Sequence, residues 1–331
     1  MTLVGVAWRN VYRNKRRTAL NVLALTVGIS ILIVSLGWIG GYHTYIYNAV
    51  IEFETGHIQV LREGYYEEKR RLPVDMVVPQ YPALRDRIEA VPGVQAAAGR
   101  VPFSVTLSDG VNSVRLMGRG IDPDREREVS VIEKQIVAGS YLDGNAGVLV
   151  GRPLADKLEV APGDSVFLRA VDRHGVENLI DLPVTGIYHF GYPAIDDNVV
   201  YVDLQSTQEL LALDGEVAKI IVRLDQDGVS DSDTDRVDQA VARWAAQETD
   251  AATPLEVRIW KDFAQTAVSA VQGDTMSFVV MIVILYFLIV IGILNSMSMS
   301  VHERTREIGS IRAIGMTRSR VLSLFTVEAI W

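Results

Sequence analysis

The sequence predicts an α+β domain inserted between the first two membrane-spanning helices of a multi-pass protein. Three observations predict it. Two long apolar runs carry no charged side chain, β-rich and helical patterns mix between them, and charge changes sign where the runs end. The 331 residues are 49% hydrophobic and 22% charged, with no cysteine, so no disulfide holds any part together. That mixture excludes a disordered or fibrous chain, and a mean hydropathy of +0.18 is too apolar for an ordinary soluble enzyme unless the apolar residues are segregated.

In chain order, residues 1–18 set Leu3, Ala7 and Val11 on one helical stripe with Val4 and Trp8 beside it, while Arg9, Arg13, Arg16 and Arg17 face elsewhere. This predicts a cytoplasmic amphipathic helix on the inner leaflet, with Trp8 at headgroup level; a flexible basic flank fits the same residues. Ala19 to Tyr42 then forms the first apolar run, and Met276 to Val301 the second. At a rise of about 1.5 Å per residue each spans a hydrocarbon core of about 30 Å, whereas a buried soluble helix is usually nearer 12 residues. The first run exceeds the apolar core of a cleaved leader and no small-residue cleavage site follows it, so a retained anchor is expected.

Five basic residues precede the first run, and Arg304, Arg306, Arg312, Arg318 and Arg320 follow the second. Basic flanks stay inside the cell, so both ends are expected in the cytoplasm and the intervening domain outside it. Between Glu52 and Asp274 lie 22 basic and 38 acidic residues, a net charge of −16, which makes nucleic acid an unsuitable partner. The global net charge of −9 therefore averages a basic membrane-proximal part with an acidic exported one.

Within that domain β-rich runs begin at His57, Val101, Asn112, Gly147, Asp164, Leu182, Asn198, Lys219 and Leu255. Helical patterns fall at 81–91, 152–158, 205–213 and 233–247. Ser108-Asp109-Gly110 and Pro162-Gly163-Asp164 read as hairpin turns, so the sheet is expected to be antiparallel or mixed. Tyr45, Ala49 and Phe53 after the first span, and Phe263, Ala267, Ala270 and Val271 before the second, recur at helical spacing as a stalk. Gly273 and Asp274 mark a possible break in it. The segments expected are thus 1–18, 19–51 (first span and stalk), 52–260 (exported domain), 261–301 (stalk and second span), 302–316 and 317–331.

No phosphate loop, no H-E-x-x-H, no G-x-S-x-G and no C-x-x-C occurs, and His43, His57, His174, His189 and His302 lack metal-ligand spacing. Residues 231–235 start like a calcium loop, but Arg236 and Ala242 stand where Gly and Glu are required, so a solvated acidic linker is expected. Asp196-Asp197 reads as a loop. The informative segment is 302–316: Glu303, Arg304, Arg306, Glu307 and Arg312 surround Ile308, Ile311 and Ile314. Gly315 is a helix stop and Thr317 a cap for the next helix. Gly309 and Gly315 cost about 1 kcal/mol each in a freely solvated helix, which favours close packing against a partner over a helix that only anchors topology.

At Val301 to Thr317 the string V-x-E-R-T-R-E-I-G-x-x-R-A-I-G-M-T resembles the coupling helix of the FtsX/MacB-like permease subunits of ABC transporters. The opening AWRNVYRNKRRT at Ala7 is similar to that family's start before its first span, and Glu328 in FTVEAI resembles its glutamate early in the third membrane helix. The stretches VPGV, GRGIDPD, GVLVGRPLADKLEVAPGDSVFL and VTGIY resemble its MacB-like periplasmic core. A chain that starts at the membrane and carries a large exported domain is most similar to the lipoprotein-releasing LolC/LolE branch. Family members carry four membrane helices, and the eleven residues from Val321 extend only about 16 Å as helix, so the third is begun and not completed.

The resemblance implies a non-catalytic subunit of the bacterial inner membrane that passes ATP-driven motion from a separate cytoplasmic ATPase dimer to a periplasmic domain. The cargo would be a lipoprotein or another amphiphile. It implies a second permease subunit and membrane lipid as further partners, no cofactor or metal in this chain, and ATP with magnesium in the ATPase. It places the ATPase contact on Glu303, Arg304, Arg306, Glu307, Ile308, Gly309, Ile311, Arg312, Ala313 and Gly315. A transport-free signalling subunit that activates a periplasmic partner such as a cell-wall hydrolase is the other reading.

Overall fold

The computed structural model describes residues 15–142, 144, 146–225, 229–247, 254–303, 305–321 and 323. The chain divides into two compact units, Ile46–Ala267 and the flanking segments Met1–Tyr45 with Val268–Trp331. The amphipathic helix expected over 1–18 lies outside the described residues as far as 14, and so does most of 317–331.

In the flanking unit, α1 (Lys15–Val50) is helical without interruption. It and the later helix of this unit are apolar enough to cross a membrane over Thr26–Thr55 and Thr275–Gly292, with mean hydropathies of 1.4 and 2.7. The two helices run antiparallel, because they meet at two levels in opposite chain order. A Cβ on Gly28 would clash with Ile289 at 2.6 Å, and Thr275 Oγ1 lies 3.3 Å from His43 Nε2. Val34, Trp38, Phe287 and Leu288 are exposed, an apolar surface that hydrocarbon would cover.

The core unit opens on one π-helical turn (Ile51–Thr55) and then alternates strands with short helices. They are β1 (Ile58–Arg62), α2 (Tyr65–Glu68), α3 (Tyr81–Glu89), β2 (Val94–Ser108), β3 (Ser113–Ile121), α4 (Pro123–Val129), β4 (Ile136–Gly139), β5 (Val148–Gly151) and α5 (Arg152–Leu158). There follow β6 (Ser165–Val171), β7 (Glu177–Tyr188), α6 (Pro193–Asp196), β8 (Val199–Asp203), α7 (Leu204–Leu211), β9 (Lys219–Leu224), α8 (Asp231–Gln247), β10 (Leu255–Ile259) and α9 (Trp260–Phe263). Beyond it stand α10 (Gln265–Glu303) and α11 (Thr305–Ala313).

The strands form one mixed sheet of order β10-β1-β9-β2-β3-β8-β5-β7-β4, with β6 joining β2 to β7. That extra pairing closes a circuit, β2-β3-β8-β5-β7-β6, in which only β3–β8 and β5–β7 are parallel. Strand β2 belongs to both parts: its first half pairs with β9 and its end with β6. The alternation of β6 shows the cause, since Val166, Leu168 and Ala170 point into the closed part while their neighbours face outward. On the open part, Leu84 and Ile88 of α3 with Val237, Val241 and Trp244 of α8 join the core formed by Ile58, Val60 and Ile220.

The structure corrects four expectations. Gly273 and Asp274 do not break α10, which runs through both. Residues 231–235 are not a solvated linker but the first turn of α8: the buried carboxylate of Asp233 accepts from Ser230 N at 3.0 Å and Ser230 Oγ at 2.6 Å. Pro162-Gly163-Asp164 turns the chain from α5 into β6, not between paired strands, with Asp164 N donating to Ala161 O. Asp196 is no loop carboxylate. It is buried, accepts from Phe190 N and Gly191 N at 2.9 Å, and pairs with His189 Nδ1 at 2.9 Å.

Candidate functional site

The residues singled out for contact with an ATPase fall at the end of α10 and on α11. Glu303 is the last residue of α10, Arg304 lies outside the described residues, and Arg306, Glu307, Ile308, Gly309, Ile311, Arg312 and Ala313 share α11. Two side chains bond back onto the preceding turn: Thr305 Oγ1 donates to His302 O at 2.8 Å, and Ser310 Oγ donates to Arg306 O at 3.1 Å. Gly315 ends the segment with φ +106° and its N–H on Arg312 O, a left-handed position that requires glycine. Val321 N then donates to Thr317 O at 3.2 Å, starting the next helical turn.

Arg306 and Arg312 are exposed and form no ion pair among the described residues. Ile308 is half-buried. Ile314 lies beyond the helix and is 88% exposed, so it does not continue the stripe of Ile308 on α11. A side chain on Gly309 would meet nothing within 4 Å, so no close packing among the described residues explains that glycine. The segment thus combines exposed arginines, a half-buried isoleucine and an open glycine on one short stretch.

A second constellation, which sequence reasoning missed, surrounds the π-helical turn after α1. Its last three carbonyls each accept from a different strand: Phe53 O from Arg119 Nη1 of β3 at 3.4 Å, Glu54 O from Arg100 Nη1 of β2 at 2.5 Å, and Thr55 O from Gln59 Nε2 of β1 at 2.8 Å. Arg100 is fully buried, as is its partner Glu126, which accepts from Nε at 3.1 Å and from Nη2 at 2.6 Å. Burial alone would lower the Arg119 guanidinium, but Tyr201, Glu54 and Glu126 together hold it above its ordinary value. Beside them Lys219 of β9, registered opposite Arg100, is pushed down to about 7 by burial and by the two guanidinium charges. Phe53 itself stacks on Phe190 at 4.7 Å and Tyr192 at 5.9 Å. These groups are far apart in sequence, which is why spacing did not reveal them.

Among the described residues no group of His, Asp and Glu side chains could hold a metal ion. The chain contains two family matches, the MacB-like periplasmic core domain over residues 18–244 and the FtsX-like permease C-terminal region over 279–331. The first covers more than half of the sequence, and the chain belongs to this family of ABC transporter permeases. It is 24% identical to the lipoprotein-releasing system transmembrane protein LolC of Xylella fastidiosa strain Temecula1, over 93% of this chain and 71% of the relative. The LolC of Neisseria meningitidis serogroup B is 22% identical over 94% and 72%. The macrolide export ATP-binding/permease protein MacB of Agrobacterium fabrum is 24% identical over 97% of this chain but 48% of its own length. Among solved structures, the periplasmic region of MacB from Actinobacillus actinomycetemcomitans covers 65% of this chain and 94% of its own, with TM-score 0.47 and 12% identity.

Proposed function

We propose that this chain is a permease subunit of the bacterial inner membrane that transmits ATP-driven motion from a separate cytoplasmic ATPase dimer to its periplasmic core domain. The cargo is a lipoprotein or another amphiphile drawn from the membrane, and a second permease subunit completes the assembly. ATP and magnesium act in the ATPase; this chain contributes contact and movement.

The observation that carries the reading is α11. A short charged helix, whose Arg306 and Arg312 form no ion pair and whose Gly309 meets no neighbour among the described residues, follows a long apolar helix and leads to a left-handed glycine. Glu303, Arg304, Arg306, Glu307 and Arg312 make charge-assisted hydrogen bonds in a groove of the ATPase, while Ile308 and Ile311 pack beside Gly309, Ala313 and Gly315. Closure of the ATPase on nucleotide then displaces this helix as a body. The LolC relatives support lipoprotein as cargo by their names and by their similarity along most of the chain.

Replacing Glu303 and Glu307 together by alanine tests this. Loss of two charge-assisted contacts, each about 1.5–3 kcal/mol, lowers stimulation of the ATPase more than tenfold and leaves membrane insertion intact. Unchanged stimulation would contradict the assignment, and capture of a cell-wall hydrolase instead of a lipoprotein by the core domain would favour signalling over release.

A further inference from the structure

The last carbonyls of an α-helix have no partner of their own and carry the negative end of its macrodipole. At the end of α1 these groups do not face water. Gln59, Arg100 and Arg119 donate to three successive carbonyls, from three strands of one sheet. Two of the donors are cations, which suit a helix C-terminus, and Arg100 is oriented by its bidentate bond to buried Glu126. Gln59 is fully buried, and its Oε1 has no partner among the described residues. Leaving that oxygen unpaired costs about 1–3 kcal/mol, so an apolar residue would serve the core better, and its bond to Thr55 O is what the amide contributes.

The other connection to the core unit is made differently. Helix α9 is tied down by Tyr66 Oη, which donates to Asp262 O at 2.7 Å, and by the edge contact of Phe263 with Tyr66. Between α9 and α10 stands Ala264, at φ −94° and ψ 19°, outside helical geometry. No such residue interrupts the chain from Lys15 to Thr55.

We propose that Gln59, Arg100 and Arg119 are positioning residues forming a socket for the C-terminal end of α1, so that α1 drives the core domain while the α9–α10 junction acts as a hinge. Buried charges with fixed partners resist rotation of the helix end, because any rotation strands a desolvated guanidinium. A single non-helical residue beside one neutral hydrogen bond and a ring contact does not resist in that way. The inference rests on the permease reading and adds which of the two connections carries force.

The test uses the chain reconstituted with its ATPase and the second permease subunit in proteoliposomes, reading ATP hydrolysis and release of a radiolabelled lipoprotein together. Arg119→Met, and separately two glycines inserted between Thr55 and Gly56, keep hydrolysis within about twofold and lower lipoprotein released per ATP by about tenfold or more. Arg119→Lys, which keeps the charge and one donor, recovers part of that ratio. Two glycines inserted after Ala264 leave the ratio within about twofold of the parent chain. Parent-like release from both socket variants, or equal loss from the Ala264 insertion, overturns the proposal. A parent chain without ATP-driven release overturns the permease reading, and this inference with it. Thermal melting of each variant separates loss of coupling from loss of fold, and the glycine insertion stands if Arg119→Met melts early.

Discussion

At the scale of single residues, the backbone at the end of α1 depends on one glycine. Gly56 adopts φ +61° and ψ −169°, a region open to glycine alone, and donates its N–H to Ile51 O. A Cβ there would collide with Ile221 Cγ2 and approach Val222 O at 3.1 Å. Gly56→Ala is expected to destabilise the core unit by about 3 kcal/mol, combining backbone strain with overpacking, as read by chemical denaturation. Lys219 provides a pH test. Its folded pKa, about 7, lies below its ordinary 10.5, so between those values the unfolded chain binds a proton that the folded one does not. Stability from this group therefore rises as pH increases from about 7 toward 10.5, and the penalty is fully present below 7. Lys219→Met should raise the melting temperature at pH 7 and flatten the rise between pH 7 and 10. Such residues were only partly legible in the sequence. Gly315 was readable because a glycine after a helical pattern is a local signal. Asp196 and Glu126 were not, because the partners that make them structural lie on other elements.

At the scale of elements, nine strands lay in runs that alternation and β-branched residues marked, and the sheet is mixed as expected. The tenth, β4, escaped because Ile136–Gly139 is four residues long, mostly exposed, and, among the described residues, bonded only to β7. Helix α4 also escaped: PDREREV has no apolar period, yet Asp122 before Pro123 is a start signal that could have found it. Asp122 caps α4 by accepting from Arg125 N at 3.4 Å and also accepts from Tyr81 Oη at 3.3 Å. Asp122→Ala should cost about 1–2 kcal/mol of core-unit stability, measured by denaturant midpoint. Because α4 carries Glu126, the partner of Arg100, that change should also loosen the grip on the end of α1, visible as faster amide exchange at residues 53–56.

At the scale of the whole molecule, the chain carries two kinds of surface. Charge separates them along the chain, basic at the ends and acidic in the middle, and that separation was fully legible because it needs only counting. What counting could not reveal is how the core unit holds the chain that enters and leaves it. There, β1 and β10 pair side by side, with Ile58 opposite Ile259, so both connections reach the core through one antiparallel pair at the sheet edge. On the proposed reading, motion carried by α1 enters the sheet where Gln59, Arg100 and Arg119 hold residues 53–55, on β1, β2 and β3. This chain of hydrogen-bonded strands has a function only if something moves α11.

The absence of cysteine makes that step directly measurable. A single Ser310→Cys on the exposed face of α11, labelled with a photoactivated crosslinker in membranes, should join this chain to a nucleotide-hydrolysing subunit, with a yield that changes on adding ATP. A crosslinked product containing only lipid or another permease copy, with no nucleotide-binding protein in either state, would contradict the account.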